Sequence, residues 1–515
     1  MRQIEKYNIF EGSVRGTEPS KSNVKVDFTG TFRKDDKTVK INGFYNGNGE
    51  YLIRFMPDEV GIWHYELSLK AEEEINESGE FECIRETGNN HGPVVVNGMN
   101  FQYADGTRYI PFGTTLYAWI HQPRQLIEKT IETLSKSPFN KARMCVFPKS
   151  YTYNTNEPEF FPFEKNGEGK WDVNQPNVEF WKHLESQLSA LSNIGIEADL
   201  ILFHPYDRWG FADLGREDDL TYLDYCVRRL AAFRNIWWSL ANEFDVVFSK
   251  NEQDWEAFGE FISSNDPYHH LLSNHNMLGF YDASKPWITH CSIQTNSFQK
   301  TKMFSDQYKK PVMIDECKYE GNIDESWGNI SGFEMVHRFW SVMVLGGFCT
   351  HGETFHRDDE VLWWSKGGEL HGESANRIAF LKDIMYELEG EIQPVRGAFD
   401  TDPNDLSSKE KLEAAQNNPF AKAILNTDPL VFDDFRTRVV TSWTGGYGDK
   451  YIITYLGREC RCFLDMELPE NGEEYSIEVI DIWEMTRETV LERAKGKVRV
   501  NLPGKEGIAV IATRK

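Results

Sequence analysis

Two glutamates close two apolar runs. Glu243 follows the strand-like stretch in "NIWWSLANEFD" (residues 235–245), and Glu316 ends the run in "PVMIDECKYE" (311–320). A carboxylate just past a buried strand loses much of its hydration, a cost that is tolerated where the position does something. Two such groups facing one another can divide a reaction. One, kept protonated, donates to a leaving oxygen; the other, kept ionised, attacks carbon or activates water. That division of labour cleaves glycosidic bonds. Plainer readings stand beside it. Glu243 could be a carboxylate at a helix N-terminus, stabilised by the macrodipole. Glu316 could belong to a loop ion pair. The alternation of "VMIDE" sends Asp315 and Glu316 to opposite faces, so only one of them can face a mouth, and Asp315 is the alternative.

The elements that must position these groups form a regular series. Between about 100 and 395, strand-like runs alternate with amphipathic helical ones. The strands are read at 108–115, 140–147, 197–204, 235–243, 271–276, 288–296, 311–320 and 346–355; "PRQLIEKTIETLSKS" and "NVEFWKHLESQLSALSNIG" are two of the helices. Eight parallel-type strands over nearly 300 residues predict an α/β fold, a (β/α)₈ barrel. A doubly wound sheet would want a Gly-rich phosphate turn after its first strand, and "FGTTLYAW" is not one. Residues 1–95 read as an N-terminal β-sandwich, from short alternating runs such as "VKVDFTGTF" and "GIWHYELSL". "NNHGPVVVNG" reads as a linker into the barrel of 96–395. From 396 to 515 the β pattern returns in "TRVVTSW", "DKYIITYLG", "YSIEVIDIW" and "GIAVIAT", a C-terminal β-sandwich. "SSKEKLEAAQNNP" reads as a solvated loop or exposed helix.

Barrel active sites lie at the C-terminal ends of the strands. Those ends supply Arg143, His204, Asp207, Asn242, Glu243, Asn274, His275, Gln294, Asn296, Glu316 and Glu353. Glu243 and Glu316 are the expected catalytic pair, with Asn242, Arg143, His204, Asp207, Gln294, Glu353 and Trp119 expected around the substrate. Burial beside Trp237, Trp238 and a neighbouring anion would favour neutral Glu243. The guanidinium of Arg143 would hold Glu316 ionised if it reached it. His204 and Asp207 have an equal reading as a loop-internal ion pair with Arg208. Glu353 stands between His351 and His356, but a strand and its loop give no converged ligand set, so no metal is expected.

The strand-four "SLANEFD" and strand-seven "MIDECKYEG" resemble the Asn-Glu and Glu motifs of clan A retaining glycoside hydrolases, which are (β/α)₈ barrels. The three-part layout resembles the bacterial family 5-like and apiosidase-like group. The resemblance implies that Glu243 is the acid/base, Glu316 the nucleophile and Asn242 the contact to the sugar's 2-hydroxyl. It also implies that Arg143 supports the nucleophile and that the carboxyls lie about 5–5.5 Å apart. The family's strand-eight tryptophan has no counterpart in "THGETF"; the nearest candidates are Trp363 and Trp364. No cofactor is implied.

Composition is consistent with a sugar substrate. Among 515 residues, 81 acidic side chains outnumber 56 basic ones, a net charge of −25 that repels phosphate backbones and anionic lipid. An oligosaccharide is the expected partner, with no nucleic acid and no membrane; a homo-oligomer is left open. "MRQIEKYNIFEGSVRG" shows no apolar signal segment, and the scattered cysteines fit a reducing compartment, so a cytoplasmic location is expected. The rival functions are a non-catalytic carbohydrate-binding protein on a degenerate barrel, excluded by turnover of nitrophenyl glycosides, and a metal-dependent hydrolase, excluded by insensitivity to chelator.

Overall fold

A computed structural model of the chain describes residues 1–72, 74–395 and 441–515, with short pieces between 413 and 431. Its centre is a parallel eight-stranded barrel. The strands are β1 (Phe112–Thr115), β2 (Lys141–Cys145), β3 (Glu197–Phe203), β4 (Ile236–Ala241), β5 (Leu272–Ser273), β6 (Cys291–Gln294), β7 (Val312–Glu316) and β8 (Phe348–His351). Their order around the sheet is β5-β4-β3-β2-β1-β8-β7-β6. The ring closes between the short β5 and β6, where Thr289 N donates to Leu272 O at 2.9 Å. Gly113 lets β1 and β8 approach, since a Cβ there would lie 2.5 Å from Thr350 Oγ1.

Helices α1 (Arg124–Leu134), α2 (Val178–Asn193), α3 (Arg216–Leu230), α4 (Glu252–Asn265), α5 (Gln299–Tyr308), α6 (Gly332–Val344) and α7 (Ser374–Glu387) surround the barrel. Their starts follow local chemistry. Asn177 caps α2 by accepting from Glu179 N and Phe180 N, and Asn251 and Asp254 form a reciprocal capping box on α4. No helix among the described residues is long and apolar enough to cross a membrane. All eight cysteines are free.

The run 108–115 is not one strand. Arg108–Tyr109 joins Asn100–Tyr103 and Val94–Asn97 in a separate antiparallel sheet, so part of the stretch read as a linker is structured. This sheet closes the N-terminal end of the barrel. Phe101 packs on Trp237, His290 and Phe348 with ring centroids 5.1–5.6 Å apart. Trp237 therefore faces the floor and Trp238 donates to Asp266 at 3.0 Å, so neither tryptophan supplies the burial of Glu243.

The N-terminal sandwich packs a five-stranded sheet on a three-stranded one. It docks on α2 and α3, away from the strand ends that carry the candidate site. Arg54 donates to Glu185 at 2.7 and 3.0 Å and to the Arg229 carbonyl at 2.9 Å, while Arg229 pairs with the same carboxylate. All three side chains are buried. Removing one partner of such a cluster strands a buried charge. Arg54→Ala is therefore expected to cost about 3–5 kcal/mol of stability, read by denaturant unfolding. An unchanged midpoint would show the cluster to be irrelevant to docking. The C-terminal six-stranded sheet packs on α6 and α7 through His337–Tyr455 (2.8 Å) and Arg377 stacked 3.5 Å over Trp483. Its first described strand inside "TRVVTSW" begins at Trp443; residues 437–440 and most of "SSKEKLEAAQNNP" lie outside the described residues.

Candidate active site

The interior of the barrel below its C-terminal mouth is charged. Lys141 pairs with Asp199 (2.6 Å) and Asp315 (2.8 Å), and Arg143 lies 3.3 Å from Asp199 and 3.7 Å from Asp315. Ser292 and Thr350 hydroxyls also donate to Asp315. Burial would raise Asp315, but Lys141 and then Arg143 hold it far below the usual carboxylate range. Asp315 thus belongs to a saturated interior network. The alternation of β7 turns the next residue, Glu316, to the mouth, where it accepts the hydroxyl of Tyr117.

Glu243 also lies at the mouth and is buried. It accepts the hydroxyl of Tyr206 at Oε2. With the amide nitrogen of Gln294 turned toward it, Gln294 donates to Glu243 Oε1 at 3.1 Å and to the Asn276 carbonyl at 3.0 Å. The backbone of Glu243 is left-handed (φ 58°, ψ 57°), a conformation that costs a β-carbon residue free energy and recurs at functional sites. Glu243 stands at the N-cap position of a three-residue 3₁₀ turn (Phe244–Val246), but its side chain makes no cap hydrogen bond, and so short a turn carries little of the macrodipole that the plainer reading invokes. Burial first, and then the charge of Glu316, push the Glu243 carboxyl up to about 7; Lys149 and the Tyr206 hydroxyl pull the other way. A raised value alone does not mark the site. Glu197 is pushed up to about 8 by burial, yet it begins β3 at the opposite end of the barrel.

Lys149, absent from the expected set, lies against the two tyrosine rings whose hydroxyls bind the carboxylates. Its ammonium is buried among rings, 3.7 Å from the centroid of Tyr117, 4.3 Å from Tyr206, 4.8 Å from Tyr151 and 5.8 Å from Trp364. Burial lowers the Lys149 pKa, while Glu316 and Glu243 both oppose that shift. The two rings closest to Lys149 are the ones whose hydroxyls bind the two glutamates. Trp327 and Tyr319 extend the same aromatic wall beside Trp364. Trp364, in a helical turn after β8 (Trp363–Lys366), is the tryptophan that reaches the site. Trp363 instead donates to Thr114 under β1.

Several expected site residues do other work. Arg143 has no exposed surface and no hydrogen bond to Glu316; its Nη2 donates to Asn242 Oδ1 at 3.1 Å, so it braces Asn242. Trp119 is fully buried and donates to Met144 Sδ, a core contact. Both carboxylate oxygens of Asp207 are taken by the Trp209, Gly210 and Ala212 amides, which shape the loop that presents Tyr206. His204 is buried against the Phe147 carbonyl (3.2 Å), and burial lowers it to about 3, so it stays neutral. Arg208 pairs with Glu157, which removes the loop-internal ion pair with Asp207. Glu353 is buried beside His351 and Glu320. Of the expected set, Glu243, Glu316, Asn242 and Gln294 converge. Tyr117, Tyr206 and Lys149 were missed; the one available signal was their position just past β1, β3 and β2.

Residues 96–390 match the model of the apiosidase-like catalytic domain. The chain belongs to the apiosidase-like family. Residues 3–70 and 440–513 match two domains of unknown function, DUF5060 and DUF5605. This apiosidase-like chain is 31% identical to a candidate glycoside hydrolase of Bacteroides vulgatus, with all of both chains covered and a TM-score of 0.86. A family 5 glycoside hydrolase of the same species shares the fold at 14% identity, covering 82% of this chain and 94% of its own, with a TM-score of 0.58. No curated protein matches the chain. The apiosidase-like chain is a glycosidase.

Proposed function

We propose that the enzyme is a retaining glycosidase that cleaves O-glycosidic bonds of a neutral oligosaccharide or plant-derived glycan by double displacement. The observation that carries this reading is a pair of buried carboxyls at the barrel mouth, each accepting a tyrosine hydroxyl beside Lys149. Burial and the charge of Glu316 push Glu243 up to about 7. A carboxyl kept protonated beside a second carboxylate suits an acid paired with a nucleophile.

In the first step a Glu316 oxygen bonds to the anomeric carbon as the bond from that carbon to the leaving oxygen breaks. Glu243 gives that oxygen its proton. In the second step Glu243, now ionised, takes a proton from water. The water oxygen bonds to the anomeric carbon, and the ester to Glu316 breaks. Asn242, its carbonyl oxygen held by Arg143, is left with its amide NH₂ to meet the 2-hydroxyl.

Charge balance gives Lys149 a part in both steps. In the barrel interior Lys141 and Arg143 face Asp199 and Asp315, and at the mouth Lys149 lies over the ring whose hydroxyl binds Glu316. When Glu316 becomes an ester, the negative charge passes to Glu243. Lys149 lies between the ring bound to one and the ring bound to the other, so a single ammonium serves both states. A charge placed beforehand where charge will develop needs no reorganisation during reaction.

Turnover of nitrophenyl glycosides across pH tests this. The general acid must be protonated, so kcat/KM is expected to be present below pH about 7 and lost above it. Lys149 lowers the Glu243 pKa, so Lys149→Met should move that alkaline limb to higher pH and lower kcat/KM by about 10²-fold. An unmoved limb would remove Lys149 from the cycle, and no turnover of any glycoside across a broad panel would remove the function.

A further inference from the structure

A second buried cluster lies outside the catalytic pair. Glu320, from the loop after β7, and His351 and Glu353, at the end of β8, each place one ligand-type atom so that all lie within 4.8 Å of one another. Their exposures are 2, 0 and 1%. Glu320 is held at the start of α7, where Glu373 N, Ser374 N and Ser374 Oγ donate to it at 2.7, 3.2 and 2.5 Å. Glu353 Oε2 accepts from His371 N at 2.7 Å. Glu353 Oε1 and His351 Nε2 have no hydrogen-bond partner among the described residues. They face each other at 3.6 Å, too far for a good hydrogen bond.

That spacing has a natural explanation. Two ligands on a tetrahedral zinc with bonds of about 2.0–2.1 Å are separated by about 3.4 Å. The imidazole is fixed as metal-ligating histidines are: Nδ1 lies 3.1 Å from Thr114 Oγ1, and the ring stacks on Phe139 with centroids 4.6 Å apart. Gly372 leaves the cradle open, because a Cβ there would lie 2.6 Å from Glu353 Oε1 and would also meet Glu320. We infer that Glu320, His351 and Glu353 bind one divalent transition-metal cation of the zinc class, which ties the loops after β7 and β8 together. One imidazole nitrogen with two carboxylate oxygens suits zinc better than the all-oxygen preference of calcium or magnesium. Its role is structural. Tyr319, which reaches 3.4 Å from the Tyr117 hydroxyl, lies one residue before Glu320, so the cation would brace one wall of the catalytic mouth. The absence of a converged ligand set, expected from β8 and its loop alone, fails because Glu320 arrives from the neighbouring loop; His356 takes no part.

The alternative is a metal-free network, with the Thr114 hydroxyl donating to Nδ1 and the Nε2 proton directed at Glu353. The full chain, purified from zinc-supplemented culture, separates the two by elemental analysis and thermal unfolding. About one zinc per chain is expected. Chelation should lower Tm, stoichiometric zinc should restore it, and calcium should not. Glu353→Gln should weaken zinc binding by about 100-fold, and Gly372→Ala, which alters no ligand, should abolish the zinc-dependent rise in Tm. A zinc-free wild-type chain whose Tm ignores added zinc would overturn the site even if neither variant folds. So would zinc uptake by Glu353→Gln as tight as that of the wild type.

Discussion

Glu316→Ala is expected to lower kcat/KM on aryl glycosides by about 10⁴- to 10⁶-fold, because it removes the group that forms the glycosyl-enzyme. The Tyr117 hydroxyl and Lys149 would remain, aimed at a space now open to small anions. Azide should enter it, attack the anomeric carbon directly and restore part of the activity, while Glu243 still protonates the leaving group. The product should be a glycosyl azide of inverted configuration, because one displacement replaces two. Failure of azide, formate and other small nucleophiles to rescue the variant, combined with a loss below tenfold, would assign the nucleophile elsewhere.

Glu243→Ala should behave differently. Substrates with poor leaving groups need the proton and should lose about 10²- to 10⁴-fold in kcat/KM. A dinitrophenyl glycoside needs little protonation, so its first step should survive. Water would then lack its base, and the glycosyl-enzyme should accumulate and appear as a burst of phenol. Azide should speed this second step and give a glycosyl azide of retained configuration. The contrast between the variants, more than the size of either loss, separates the roles. Identical responses on an activated substrate would dissolve the assignment.

The barrel was legible because its strands are buried on both faces. Runs such as "LILF" in β3 and "IWWSLA" in β4 carry near-continuous apolar character that a half-solvated strand lacks. Knowing that barrel chemistry sits past strand ends then picked out Glu243 and Glu316, and period-two alternation correctly separated Asp315 from Glu316. What stayed hidden depends on contacts between distant segments. Arg143 could not be seen to serve Asn242 rather than Glu316, because that choice rests on Asp199 from β3 and Asp315 from β7. Trp119 looks like a sugar platform by residue type, yet its ring lies in the core. Asp207 and Tyr206 are neighbours, and only loop geometry decides that the aspartate folds the loop while the tyrosine meets Glu243. Lys149 carries no motif, and its value comes from rings on four segments closing around it. Of the barrel's floor, "VVVN" fell in the stretch read as a linker and Arg108–Tyr109 was joined to strand one, because such short runs, like "NFQY" between them, do not signal a sheet before their partners are known.

Double displacement by Glu316 and Glu243 fixes the stereochemistry of the first product. Proton NMR of the anomeric signal, recorded as an aryl glycoside is consumed and before mutarotation scrambles the product, distinguishes the two courses. The first-formed sugar is expected to have the anomeric configuration of the substrate. An inverted first product would mean that water attacks directly, and would contradict the nucleophile role of Glu316 even if both glutamates proved essential.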